Sequence, residues 1–216
     1  MSPAEGPDAA DAGRPQGRVL TLRLTHGQVT AVADAGGRAA ASWDTGSGRE
    51  HHPAEAVWQT LLAAVRQVLE TSERGAAGAD DPTDPRRPLV QVAISAPTDS
   101  VALWDAETLG SPRPLALGVD PAAELAAVAA QEAHTWALVL TGRHLVGPLG
   151  SYLVARMTRG LEHGLPDDGT WPALLQSQDV PVDSRPAVWA DGEVLGTTDP
   201  ASFCGLELPV RLLPPP

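Results

Sequence analysis

The sequence predicts an α/β domain, a mixed sheet flanked by helices, and three stretches carry that prediction. In the first, Leu20, Leu22 and Leu24, then Val29, Ala31 and Ala33, recur at period two. Two strands follow, with Thr25, His26, Gly27 and Gln28 as the turn between them. The second sets Val57, Trp58, Leu61, Leu62, Val65, Val68 and Leu69 at the i, i+3, i+4, i+7 spacing of one buried helical face. The third, Leu89-Val90-Gln91-Val92-Ala93-Ile94-Ser95, is the apolar run of a buried strand.

The remaining elements follow in chain order. Residues 1–17 are rich in Ala, Asp, Pro and Gly and read as a disordered tail, which leaves one domain over 18–212. Residues 38–43 add a third antiparallel strand, and residues 44–50 a loop. The amphipathic helix opens at Pro53, a residue suited to the first helical position, and ends before Gly75. Residues 73–88 form a Gly/Asp/Pro/Arg loop. A further strand covers 101–105. Asp120 caps a helix that begins with Pro121 and runs to about Ala133. Residues 136–140 fit a strand or the end of a helix. A helix over 150–161 buries Leu153 and Met157, and a short one covers 171–175. Val188 and residues 192–197 suggest a short strand, and Leu213 with three prolines stops the chain. There is no internal repeat.

Composition narrows the function. A net charge of -12 and a pI near 4.8 argue against nucleic acid and an anionic membrane face, which call for a basic surface. All 15 basic residues are arginine, so no lysine exists to grip a phosphate or form a Schiff base. The chain also lacks asparagine and has one isoleucine, Ile94, the bias of a GC-rich, actinobacterial-type genome. Cys204 is the only cysteine, which rules out an internal disulfide and a thiolate metal cluster. The acidic N-terminus has no signal-peptide core and no apolar run reaches membrane-spanning length, so a cytoplasmic protein is expected.

Other chemistry finds little purchase. The six histidines are scattered apart from the adjacent His51 and His52, and lack metal-ligand spacing. Ser95, Ser100 and Ser151 sit in no Gly-x-Ser-x-Gly context. Asp80-Asp81 and Asp167-Asp168 read as solvated turns. Six tryptophans against one Phe and one Tyr suit core positions better than a carbohydrate platform.

Five stretches appear in a telling order: the opening hairpin; residues 52–62 (His-Pro-Ala-Glu-Ala-Val-Trp-Gln-Thr-Leu-Leu); Val92-Ala93-Ile94-Ser95 with Leu103-Trp104-Asp105; Leu140-Thr141-Gly142-Arg143; and residues 192–200 (Gly-Glu-Val-Leu-Gly-Thr-Thr-Asp-Pro). They resemble the N-terminal domain of FGGY carbohydrate kinases, the group of xylulokinase, gluconokinase and glycerol kinase. The matching family patterns are the hairpin, "D-P-x-x-W-W-x-x-L", "I-x-x-I-G-V-S-G-Q … L-L-D", "L-T-G-E" and "G-E-V-x-G-x-x-T-P". The resemblance implies an RNase H-like fold of the actin-like ATPase and sugar-kinase type.

Departures from the family shape the functional expectation. The family's first turn reads Asp-x-Gly-Thr-Ser/Thr and closes on metal and phosphate. Arg23, Leu24, Thr25, His26 and Gly27 stand there, a base in place of the acid and Thr in place of the first Gly. Asp99 takes the place of a sugar-contacting side chain, and of the family's Trp-x-Asp-x-Arg only Asp120 remains, with a helix N-cap as its plainer role. The resemblance also places the catalytic aspartate in a second domain that begins where this chain stops. The expectation is therefore an inactive kinase-like domain, a pseudokinase, with no catalytic residue, metal or cofactor, serving as a binding or assembly subunit. It is expected to form a homo-oligomer or pair with another protein, and to take a small carbohydrate at most, through Asp99 and Asp120. ATP and magnesium enter only under the alternative, a sugar kinase whose catalytic domain is a separate chain.

Overall fold

The computed structural model describes residues 17–34, 37–43, 50–74, 87–190 and 192–215. The expected tail, most of the 44–50 loop and most of the 73–88 loop with Asp80-Asp81 lie outside those residues.

The opening hairpin forms as the alternation requires. Strand β1 (Arg18–Leu24) turns into β2 (Gln28–Ala33), and β3 (Gly37–Ser42) adds the third antiparallel strand. The leucines at 20, 22 and 24 are fully buried, while Arg23 between them is exposed. A short strand β4 (His51–His52) precedes helix α1 (Ala54–Arg74). That helix lays Val57, Leu61, Val65 and Val68 on β2 and β3 and carries the chain over to β5 (Leu89–Ser95), parallel to β1. Gly37 allows the close approach of helix to sheet, because a Cβ there would sit 2.9 Å from the Ser72 hydroxyl. The last strand, β11 (Val210–Leu212), joins parallel to β5, so the main sheet has the order β11-β5-β1-β2-β3.

A second, antiparallel sheet, β4-β7-β6-β8, comprises β4, β6 (Ser100–Asp105), β7 (Leu115–Leu117) and β8 (His144–Gly147). Both faces of β6 are covered. Ala102 and Trp104 enter the core shared with the main sheet, and Val101 and Leu103 enter a second core. Helices α2 (Pro121–Gln131), α3 (Ala133–Leu140) and α5 (Thr170–Ser177) contribute Leu125, Val139 and Trp171 to that second core. Helix α4 (Leu149–Met157) is buried along every face except at Arg156, as a helix between two layers must be. Strands β9 (Gly164–Pro166) and β10 (Ala187–Trp189) form a small parallel pair.

Some open readings are settled and others corrected in detail. Residues 136–140 are helical. Helix α4 ends at Met157 rather than Leu161, because Arg159 and Gly160 turn left-handed with φ of 55° and 78°. Residues 192–197 form no strand, since Gly192 and Gly196 have φ of 71° and 135°; Thr197 alone makes a bridge, to Pro209. All six tryptophans are buried, so none offers a platform. Among the described residues no helix is long and apolar enough to cross a membrane.

Candidate functional site

Strands β1, β5 and β11 run parallel, so the loops that leave them gather at one sheet edge, where open α/β sheets place their ligands. Arg23 stands exposed near the end of β1, level with Ser95 on β5 and Thr30 on β2. The turn beyond it closes on itself: Thr25 donates its N–H to the Gln28 carbonyl (2.9 Å), and its hydroxyl points to the same oxygen (3.4 Å).

The structure brings the sequence candidates together. Imidazole Nε2 of His26 lies 2.9 Å from Oδ1 of Asp99, across from the β5–β6 loop, and both side chains are about half exposed, at 53% and 51%. The Asp99 carbonyl accepts N–H bonds from Gly118 (2.8 Å) and Val119 (3.1 Å). Gly118 has φ of 69°, and a Cβ added to it would meet the His26 ring at 3.7 Å, so a bare backbone passes beside that imidazole. Asp120 follows directly and is held by its own helix: its carboxylate accepts the Ala122 N–H at 3.0 Å, the N-cap that Pro121 anticipates. Gly27 sits in the turn with Thr25 and His26 and makes no bond that engages a neighbouring loop among the described residues.

Sequence reasoning missed the cleft beside this cluster. Residues 96–98, 148, 150–151, 166–168 and 212–215 enclose about 260 Å³. Its walls are largely apolar, from Ala96, Leu212 and several prolines, with Asp167 and Asp168 among the lining residues. Ser151 lines it too, fully buried, and its hydroxyl has no hydrogen-bond partner in the protein. A buried hydroxyl left unpaired is costly unless something else bonds it. The only sequence signal was a serine within the largely apolar helical run 149–157. The C-terminal segment closes one side: Leu213 donates its N–H to the Ile94 carbonyl (2.6 Å), and the Ser95 hydroxyl donates to the Pro214 carbonyl (2.8 Å). Asp167 and Asp168 are thus cleft residues as well as turn residues. Among the described residues no group of three or more His, Cys, Asp or Glu side chains is placed to hold a metal ion.

No protein-family model matches the chain, and no curated protein matches it in sequence. Solved structures do match its fold. Glycerol kinase from Plasmodium falciparum, solved with ADP, superposes with a TM-score of 0.73 at 9% identity, over 91% of this chain and 48% of the enzyme. Gluconate kinase from Lactobacillus acidophilus gives 0.61 at 8% identity, over 90% of this chain and 48% of that one. Xylulose kinase from Rhodospirillum rubrum gives 0.59 at 15% identity, over 92% and 48%. The chain has the fold of the N-terminal domain of FGGY-family kinases, an RNase H-like α/β fold of the actin-like ATPase type. It spans about half the length of the structures it matches.

Proposed function

We propose that this chain is a carbohydrate-kinase-like domain that transfers no phosphate and works as a binding or assembly subunit. The observation that carries the reading is the state of the first turn. A guanidinium stands at the end of β1, the Thr25 N–H is engaged inside the turn, and the Asp99 carboxylate is bridged to His26. These residues do not fit a magnesium–nucleotide. The turn itself carries no carboxylate for a cation, one oxygen of the nearby Asp99 is taken by His26, and the Thr25 N–H is spent inside the turn. The neighbouring cleft supports the binding half of the proposal. Apolar walls suit the C–H faces of a small polyhydroxylated molecule, and the exposed Asp167 and Asp168 carboxylates can accept bonds from its hydroxyls.

Calorimetric titration tests both halves. The expected result is no heat with ATP and magnesium, and binding of at least one member of a panel of pentoses and polyols that is weakened about tenfold in Asp167→Ala. Sugar-dependent ADP release by the purified chain alone would overturn the reading. The fold shared with glycerol, gluconate and xylulose kinases supports a second reading, a sugar kinase whose catalytic domain is a separate chain. ADP release that appears only on mixing with a polypeptide carrying the other half supports it.

A further inference from the structure

A second concavity lies away from the strand-end cleft and shares no lining residue with it. It is a groove of about 710 Å³ between one stripe of α1, the end of α4, the turn after β6 and the segment 200–205. Three guanidiniums line it, from Arg66, Arg156 and Arg159, against one carboxylate, Glu55. On a chain of net charge -12 this is a local reversal of sign.

The three arginines are held differently. Arg156 lies over the Trp58 ring, 4.8 Å from its centre, and donates to the Tyr152 hydroxyl (2.9 Å) and to Glu55 (3.0 Å). Its head is therefore fixed in place. Arg159 approaches Asp199 only at 3.9 Å and is 68% exposed. Arg66 lies against the Cys204 thiol and has no carboxylate partner among the described residues.

Backbone strain points to the same place. Four described non-glycine residues have positive φ, and three of them, Leu109, Arg159 and Cys204, line this groove. Arg159 is the sharpest case. It follows the C-cap Thr158 of α4 with φ of 55°, the position where glycine ends a helix at least cost. An arginine in that conformation is less stable than glycine would be, and strain of this kind collects at functional sites.

We propose that this groove binds a small polyanion, a molecule carrying two or more phosphate or carboxylate groups. Guanidiniums bind both groups through paired N–H donors. One group is too few, because Arg156 sits at Trp58 and Arg66 lies eight residues further along α1, roughly 12 Å down the helix axis. The concave shape suits a small molecule. This site is independent of whether the strand-end cleft binds sugar.

The test is titration of the full chain, at fixed ionic strength, with tripolyphosphate, citrate and inorganic phosphate as the single-group control. Tripolyphosphate or citrate is expected to bind more tightly than phosphate, and whichever does so identifies the preferred group. Arg66→Gln and Arg159→Gly should each weaken that binding by about tenfold, the size of one charge-assisted hydrogen bond. Arg159→Gly removes a strained residue, so its thermal midpoint should equal or exceed that of the parent and exclude misfolding as the cause. The proposal is overturned if neither polyanion binds at millimolar concentration, if neither binds better than inorganic phosphate, or if the double variant binds as the parent does.

Discussion

Asp105 ends β6 with its carboxylate surrounded by donors. Oδ1 accepts the N–H groups of Thr108 (2.8 Å) and Glu107 (3.0 Å), and Oδ2 accepts Arg143 Nε (2.8 Å). These bonds, the Thr108 N–H first, outweigh desolvation and hold its pKa down at about 2. Its unfolded value is near 3.9, so the stability it contributes is complete above about pH 4 and is lost as pH falls through about 2. Asp105→Asn should therefore lower the urea midpoint at pH 7, and its gap from the parent should close between pH 4 and pH 2. A gap that stays constant over that range contradicts the assignment. His163 adds to the acid limb at higher pH. Burial lowers its pKa, and its Nδ1 accepts the Trp104 indole N–H at 3.2 Å, so the folded ring is neutral. Protonation of the unfolded chain below about pH 6.5 then begins to erode stability before Asp105 titrates.

At the scale of elements, α1 is the helix that joins the hairpin to the parallel half of the main sheet, and its buried stripe sets its stability. Leu61 is fully buried against the core, whereas Gln67 on the same helix is exposed. Leu61→Ala should cost roughly 2–5 kcal/mol, the range for a large buried side chain cut to Ala, and Gln67→Ala should stay within about 0.5 kcal/mol. Equal midpoints in chemical denaturation would show that α1 packs otherwise. The hairpin, α1, β5 and the α2 cap were legible in the sequence because each is encoded locally, by period, by Pro and by Asp120. Strands β4, β7, β9 and β11 were not, since they have two or three residues and are defined by their partners. Val210 becomes part of a strand only because Val92 pairs with it. Helix α4 was read too long because its stop at Gly160 was passed over, and the chain leaves the helix one residue earlier, at a left-handed Arg159. The candidate site divides the same way. The turn at 25–27, Asp99 and Asp120 could be placed by motif, but nothing local tells that Ser151 is buried without a partner beside the C-terminal segment.

The molecule as a whole pairs a large negative charge with an apolar edge at the strand ends. Leu213 is 39% exposed there, and Pro97, Pro148, Pro214 and Pro215 line the same cleft. An apolar edge of that kind favours association, and the expected state is a dimer or a complex with another protein. Charge opposes self-association, because two copies at -12 repel each other across any contact. The balance gives the prediction a direction in salt. Screening beyond about 10 Å at 0.1 M removes much of the repulsion and leaves apolar burial untouched. Dimerisation should therefore tighten as sodium chloride rises from 0.02 to about 0.5 M, the reverse of an ion-paired interface. Leu213→Asp should weaken it at every salt concentration. Sedimentation equilibrium over a range of protein concentrations reads both effects. A strict monomer at high concentration and high salt would refute self-association through this edge, and a dimer that salt dissociates would place the contact on charged surface elsewhere.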